Sequence, residues 1–249
     1  MDFWDFIYFY GLILAIAVMV LSLAVQGWMH AAFKKYSKVH ASKGITGRES
    51  AETILQMHGL SGSGFGVTMG EKSYGYQVRV EAVGGRLSDH YSPKEKVVRL
   101  SESTYSSTSI AAIGVAAHEC GHAIQDARSF IPNKIRAGLA PLAMVGSRFG
   151  PYLAIIGLFM GTGVMADYFF SAGIIAFSFA TLFYVVTLPV EINASRRALK
   201  ILNQSRLLQG DEIAGARKVL TAAAMTYVAA AAASVLTLLR LLAMRNRRR

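Results

Sequence analysis

The chain has 249 residues, of which 53% are hydrophobic and only 16% are charged, and its mean hydropathy is +0.37. Soluble domains typically carry about 25% charged residues, so this composition disfavours a purely water-soluble fold and favours a membrane-spanning bundle. The net charge of +11 does not indicate nucleic-acid binding, because the Lys and Arg residues lie mostly beside apolar segments, without interleaved stacking aromatics.

The first apolar run, Ile7–Val25, is uncharged and long enough to cross a bilayer core. A cleaved signal peptide is the alternative. The run is too long for the apolar part of a signal, acidic Asp2 and Asp5 precede it, and no small-residue cleavage motif follows. It therefore predicts a retained anchor within residues 1–29.

The polar half of the chain is Gln26–Arg136, and we predict that residues 30–148 form the catalytic part. Gln77–Val83 and Val97–Leu100 have the composition of strands of a small sheet. The glycine-rich Leu60–Val67 matches no phosphate-binding fingerprint and predicts a flexible loop. From about Thr108 the pattern becomes helical, and the candidate N-cap residues are Ser106, Ser107 and Ser109.

Two further apolar runs, Gly150–Met165 and Phe169–Leu188, are separated only by Ala166-Asp167-Tyr168 and predict a transmembrane hairpin within residues 149–188. Pro189 is expected to end the second run and begin a new helix in residues 189–218. Residues 219–249 comprise an Ala-rich helix, interrupted by Arg240, and a basic tail. Its alanines favour packing on the bundle or a position near the interface over a membrane crossing.

The basic residues also predict orientation, because cytoplasmic membrane flanks collect Lys and Arg. The acidic Asp2, Asp5 and Asp167 mark the opposite ends of the three spans. We therefore expect a multi-pass protein of the cell membrane with its N-terminus outside and its catalytic part facing the cytoplasm. The basic flanks are Lys34, Lys35, Lys38, Lys43, Arg48, Lys134, Arg136, Arg148, Arg196, Arg197 and Lys200.

The chemistry is predicted by the sequence His118-Glu119-Cys120-Gly121-His122, an HExxH motif on a helix. Histidines four positions apart project from nearly the same side of a helix and can share one tetrahedral zinc ion. Glu119 lies about 100° round the helix from His118, where it can accept a proton from metal-activated water as general base. Two surface histidines on an ordinary helix are the alternative. The motif's small-residue surroundings oppose it, because they indicate burial.

Cys120, the only cysteine, points away from the histidines and predicts a buried thiol rather than a ligand. A catalytic zinc ion needs a third protein ligand, and the candidate is Glu191, which follows Pro189. Ala194, Ser195 and Ala198 share its helix face, which could pack on the small residues around the motif. The alternative is an acidic residue that only favours a helix N-terminus, and spacing alone leaves both readings open.

The motif HECGH, the following hydrophobic hairpin and the sequence LPVEINASRRAL resemble the bacterial YugP-like family of neutral zinc metallopeptidases. More distantly, they are similar to the HtpX and CAAX-prenyl-protease membrane peptidases. The resemblance implies that Glu191 is the third zinc ligand. Gly85–Arg99 also matches the family, except that Ser92 stands where an Asp is expected.

Two other residues are candidate helpers. His90 could stabilise an oxyanion, although a surface histidine in a turn is the simpler reading. Arg197 could do the same, or could be a membrane-flanking cation.

The sequence therefore predicts a mainly α integral-membrane helical bundle with a zincin-like HExxH part that carries a small β-sheet. The predicted activity is zinc-dependent hydrolysis of peptide bonds in peptides or proteins, including membrane proteins, with the lipid bilayer as the other partner. Val97–Leu100 is expected to bind substrate by edge pairing. Zinc transport is disfavoured because the three spans contain no His, Asp, Glu or Cys. A zinc-containing membrane scaffold or chaperone without turnover stays open as the alternative.

Overall fold

The computed structural model describes residues 3–61 and 77–247. The chain folds into two compact units: one comprises Met1–Gln26, Ile131–Val190 and Met225–Arg249, and the other comprises Gly27–Phe130 and Glu191–Ala224. The elements are α1 (Phe3–Tyr36), α2 (Gly47–Met57), β1 (Arg79–Val83), β2 (His90–Ser92), β3 (Val97–Ser101), α3 (Glu102–Tyr105), α4 (Ile110–Ala127), α5 (Ile131–Phe159), α6 (Val164–Gln204) and α7 (Asp211–Asn246). The predicted glycine-rich loop lies outside the described residues from position 62 onwards.

The first unit contains the apolar helical segments. Within the part of the chain that the structure describes, four helices, α1, α5, α6 and α7, are long and apolar enough to cross a membrane. Their large side chains are widely exposed along the apolar runs, as expected for surfaces that contact lipid instead of water. The predicted fold class, a mainly α membrane bundle with a small sheet, is confirmed.

Glycines bring α5 and α6 into backbone contact. A Cβ on Gly146 would collide with the carbonyl oxygen of Ala176, and one on Gly150 would lie 2.9 Å from the backbone nitrogen of Phe177. Small residues at such contacts allow close approach in a membrane, where association depends on van der Waals packing. The glycines on this face of α5 are therefore explained by its close contact with α6.

Gly146→Ala should lower the free energy of unfolding of the detergent-solubilised protein by about 1–3 kcal/mol, because the new methyl group overpacks a backbone contact. The melting temperature should fall accordingly. Gly138→Ala is the matched control in the same helix, since nothing lies within 4 Å of a Cβ at Gly138. It should be neutral or slightly stabilising, because Ala has the higher helix propensity. Equal melting temperatures for the two variants would contradict this account of the contact.

The turn of the hairpin differs from the prediction. It falls at 160–163, between α5 and α6, and Ala166-Asp167-Tyr168 already belongs to the first turns of α6. Gly161 and Gly163 have φ of +77° and +139°, which L side chains rarely adopt, so the glycines define the turn. Asp167 instead lies in the first turn of α6, where the helix dipole favours a negative charge.

Pro189 does not end a helix, contrary to the prediction. It lies inside α6, which runs from Val164 to Gln204 without interruption. The φ of proline is compatible with a helix, and helices of membrane proteins tolerate the loss of one backbone donor when their surroundings compensate for it. Glu191 is consequently presented by a continuous helix and not by a new one.

The C-terminal helix α7 is a fourth candidate span, where the sequence favoured packing on the bundle or an interfacial position. Its last turns lie against the beginning of α1: Arg247 donates to Asp5 at 3.0 Å and stacks on the ring of Tyr8. Arg240 lies beside Gly11, whose missing side chain leaves space for it. The helix does pack on its neighbours, and its interrupting arginine is accommodated by α1.

The second unit carries a three-stranded sheet in the order β1-β3-β2. Strand β3 pairs with β1 in parallel and with β2 in antiparallel orientation. The prediction that Val97–Leu100 offers an edge to substrate is therefore wrong, because both sides of this strand are already hydrogen-bonded. Among the described strands, β1 and β2 form the edges.

Helix α4 lies in the core of this unit. Ser109 caps its N-terminus by accepting a hydrogen bond from the backbone N–H of Ala112 at 3.2 Å, and Ser109 is one of the three predicted caps. The face of α4 away from solvent includes small residues and three isoleucines, which are buried with side chains of α2 and of the sheet. The helix that carries the HExxH motif is thus firmly positioned.

Candidate metal centre

His118, His122 and Glu191 come together in the second unit. Oε2 of Glu191 lies 3.3 Å from Nε2 of His118 and 3.5 Å from Nε2 of His122. The two imidazole rings are 4.7 Å apart at an angle of 86°. The two histidines are on α4 and the glutamate is on α6, and three potential ligand atoms, one from each residue, lie within 4.8 Å of one another.

A glycine permits this approach of α6 to α4. A Cβ on Gly121 would lie only 2.8 Å from the carbonyl oxygen of Ala194. Ala194 and Ala198 are fully buried and Ser195 is nearly so. The predicted packing of this small-residue face against the motif is therefore what the structure contains, and it places the Glu191 carboxylate over the two imidazoles.

The three side chains fit a divalent cation by their chemistry and spacing. Two imidazole nitrogens and one carboxylate oxygen are a donor set that catalytic zinc sites use. Ligand atoms bound about 2.05 Å from a tetrahedral ion lie roughly 3.3 Å apart, close to the observed 3.3 and 3.5 Å. The cluster is also mostly buried, and burying a carboxylate beside two imidazoles is costly without a compensating charge.

Hydrogen bonds to Nδ1 orient both imidazoles. Nδ1 of His118 lies 3.1 Å from Oγ of Ser195, and Nδ1 of His122 lies 3.0 Å from Oε1 of Gln125. Both rings therefore turn Nε2 towards Glu191. Such outer partners hold a ligand ring in position and are a regular part of zinc sites.

The sequence predicted no role for Gln125, and it predicted only helix packing for Ser195. The available signal was spacing: Gln125 lies three positions after His122, and Ser195 lies four positions after Glu191. These spacings place each residue on the same helix face as the ligand candidate.

Glu119 lies beside the cluster with only 8% of its surface exposed. Burial raises the pKa of its carboxyl to about 7; the charge of Glu191 adds to this increase, whereas a backbone hydrogen bond from Tyr91 opposes it. A cation between the imidazoles would counter part of this increase, because it favours the carboxylate form. The backbone N–H of Tyr91 lies in β2, so this strand borders the catalytic candidate.

The other candidate residues take different positions. His90 is exposed on β2, and its Nδ1 lies 2.8 Å from the carbonyl oxygen of Ser88. The neighbouring Tyr91 is buried, so His90 points from the opposite face of the strand, as expected for the surface reading. Arg197 donates from Nε to Oδ1 of Asn193 at 2.7 Å. Cys120 is buried with its thiol 3.6 Å from the carbonyl oxygen of Ala51, as expected for a structural thiol.

The arrangement defines a class of protein that the sequence comparisons identify. The family described as "Putative neutral zinc metallopeptidase" matches residues 11–246, and the chain belongs to this family. The chain is similar to the protein of Bacillus subtilis (strain 168) named "Putative membrane protease YugP", with 43% identity over 227 residues, covering 91% of this chain and 92% of that protein. No solved structure matches the chain significantly. The family predicted from the sequence is thus confirmed.

Proposed function

We propose that the protein is a membrane-embedded, zinc-dependent endopeptidase. The observation that carries the proposal is the position of the Glu191 carboxylate, which meets Nε2 of both His118 and His122 while Glu119 lies beside them. Membership of a zinc metallopeptidase family and similarity to a membrane protease support the same class of activity. The substrate class is then peptides or proteins, including membrane proteins.

His118, His122 and Glu191 would hold the zinc ion. When bound there, zinc would lower the pKa of a coordinated water towards about 7 and polarise a substrate carbonyl. With Zn²⁺ bound, the single negative charge of Glu191 would leave the site net positive, and this charge would attract the carbonyl oxygen of a substrate. Ser195 and Gln125 keep the imidazoles in their binding orientation.

Glu119 is the proposed general base and then general acid. Its carboxylate takes a proton from the attacking water and delivers a proton to the nitrogen of the leaving amine. The backbone N–H of Tyr91 holds the carboxylate in place, and burial keeps the pKa high enough for proton return. Efficient proton transfer requires a pKa near the working pH, which this environment provides.

The substrate would bind along β2 and not along β3. The N–H of Tyr91 reaches Glu119, so the side of β2 that faces away from β3 lies next to the catalytic carboxylate. An extended peptide can add to such an edge through main-chain hydrogen bonds. We further propose that the unit containing the metal-ligand candidates faces the cytoplasm. Basic residues are concentrated at those ends of the apolar runs that continue into this unit, and cytoplasmic flanks of membrane spans collect Lys and Arg.

Metal removal tests the proposal. The full-length protein in detergent should cleave a casein-type substrate, lose cleavage after chelation and removal of metal, and recover with stoichiometric Zn²⁺. Mg²⁺ should not restore it, because that ion prefers oxygen ligands in octahedral geometry. A zinc-loaded wild type that cleaves nothing would favour the alternative, a zinc-containing scaffold or chaperone.

A further inference from the structure

A line of hydrogen bonds, buried at its His122 end, connects Arg197 to the imidazole of His122. Nε of Arg197 donates to Oδ1 of Asn193 at 2.7 Å, and Nε2 of Gln125 donates to the same oxygen at 3.1 Å. Oε1 of Gln125 then lies 3.0 Å from Nδ1 of His122. The line crosses between α6 and α4, because Asn193 and Arg197 lie on α6 while Gln125 and His122 lie on α4.

The arginine gives this line a direction. Amide oxygens and nitrogens can normally be exchanged, but a guanidinium only donates, so the atom of Asn193 that faces Arg197 must be the oxygen. Because that oxygen also faces Gln125, the Gln125 amide must turn its NH₂ group towards it. Oε1 of Gln125 is left facing Nδ1 of His122, and an amide oxygen only accepts. The carboxylate of Glu191 is a second acceptor for this ring, but its Oε2 lies 3.5 Å from Nε2, whereas Oε1 of Gln125 lies 3.0 Å from Nδ1. The nearer acceptor therefore places the hydrogen on Nδ1 of His122.

We propose that Arg197, through Asn193 and Gln125, fixes His122 in the tautomer protonated on Nδ1, which leaves the lone pair of Nε2 available to a metal ion beside Glu191. Arg197, Asn193 and Gln125 are positioning residues in this account. The inference rests on the proposed function only in treating His122 as a metal ligand. The tautomer itself is a property of the metal-free protein.

Burial makes the direction difficult to reverse. Gln125 is completely buried and His122 is 8% exposed. Reversing the Gln125 amide would place its oxygen against the Asn193 oxygen, and reversing both amides would place an NH₂ group against Arg197. A buried polar group without a matching partner loses its hydration without recovering a hydrogen bond.

The second histidine lacks such control. Nδ1 of His118 faces the hydroxyl of Ser195, which can either donate or accept. The Ser195 contact therefore holds the ring without selecting its tautomer. The two histidines are predicted to differ before metal binds: the contact with Gln125 requires a hydrogen on Nδ1 of His122, whereas the contact with Ser195 does not require one on Nδ1 of His118.

Nitrogen-15 NMR of the full-length, metal-free protein in bilayers tests this difference. With ¹⁵N-labelled histidine at a pH where the imidazoles are neutral, protonated and unprotonated ring nitrogens give separate signals. We expect Nδ1 of His122 to be protonated and Nε2 to be unprotonated, and His122→Gln assigns these signals. An Nε2-protonated His122 in the wild type would overturn the proposal, whether or not the protein proves to be a peptidase.

Variants of the line provide the second test. Arg197→Met should produce a mixture of tautomers at His122, whereas Asn193→Asp should keep the wild-type tautomer because a carboxylate oxygen still accepts from both partners. Arg196→Met is the matched control, since Arg196 is the adjacent, exposed cation. It should leave the His122 signals unchanged.

Arg197→Met and Arg196→Met should also differ in their affinity for Zn²⁺. Loss of an outer partner of a ligand typically weakens metal binding about 10–100-fold, so competition with a chelator should show this loss of Zn²⁺ affinity for Arg197→Met and not for Arg196→Met. Unchanged tautomer and affinity in Arg197→Met would overturn the proposal. If that variant does not fold, the wild-type tautomer and the Asn193→Asp signals still decide it.

Discussion

Glu119→Gln should lower kcat for peptide cleavage about 10²–10⁴-fold, which is the usual contribution of a general acid–base. The amide has the size of the carboxylate and can still accept from the N–H of Tyr91, so the fold should persist. It cannot take a proton from water at neutral pH, and this loss is the physical reason for the effect.

The zinc content of Glu119→Gln distinguishes loss of the general base from loss of the metal site. Glu119 is not one of the three proposed ligands, so Glu119→Gln should bind Zn²⁺ as tightly as the wild type within a few-fold. Glu102→Gln is the matched control, because Glu102 is exposed on α3. Wild-type cleavage by Glu119→Gln would exclude the mechanism, even if zinc is bound.

Glu191→Ala should weaken Zn²⁺ binding by roughly 2.5–4 kcal/mol, on the order of 10²–10³-fold. This estimate divides the binding free energy of about 10–16 kcal/mol for structural zinc in small peptides among its four ligands. Cleavage at limiting zinc should fall by a similar factor. Both effects follow from the loss of the only carboxylate among the three proposed ligands, which lies against both imidazoles.

The measurement is a competition titration with a zinc chelator on the purified, folded variant. Glu102→Ala serves as its control and should match the wild type. A Glu191→Ala protein with unchanged zinc affinity would show that Glu191 is a neighbour of the site and not a ligand.

The sequence predicted the helix that carries the site because its evidence is local. Periodic small and apolar residues, a serine cap and histidines one turn apart all fall within Ser109–Ala127, and the structure forms α4 there. Glu191 was different. Its approach to α4 depends on a contact between residues far apart in the chain, which spacing cannot establish, and the family resemblance was needed to select it.

The residues that orient the ligands were missed for the same reason. Gln125 and Asn193 are ordinary polar residues on two helices, and their hydrogen bond exists only because Gly121 lets those helices approach closely. Strand β2 was also missed, because a three-residue strand has too little sequence to show an alternating pattern. Its position moved the expected substrate edge from β3 to β2.

Two boundaries of the apolar helices were predicted wrongly, because proline and a charged residue were each taken to mark the end of a helix. Pro189 was expected to end a helix, but α6 continues through it and carries Glu191 to the site. Asp167 was expected in a turn because it is charged, yet the conformational freedom of Gly161 and Gly163 determines where the chain reverses. Charge and proline are therefore weaker boundary signals here than glycine.

X-ray absorption at the zinc edge, on the purified full-length protein, tests the central claim most directly. We expect one zinc ion per chain, bound by two imidazole nitrogens and at least one carboxylate oxygen, without sulfur. A protein that purifies without zinc and fails to take it up would contradict the account. A spectrum that shows sulfur from Cys120, or a first shell without histidine, would contradict it equally.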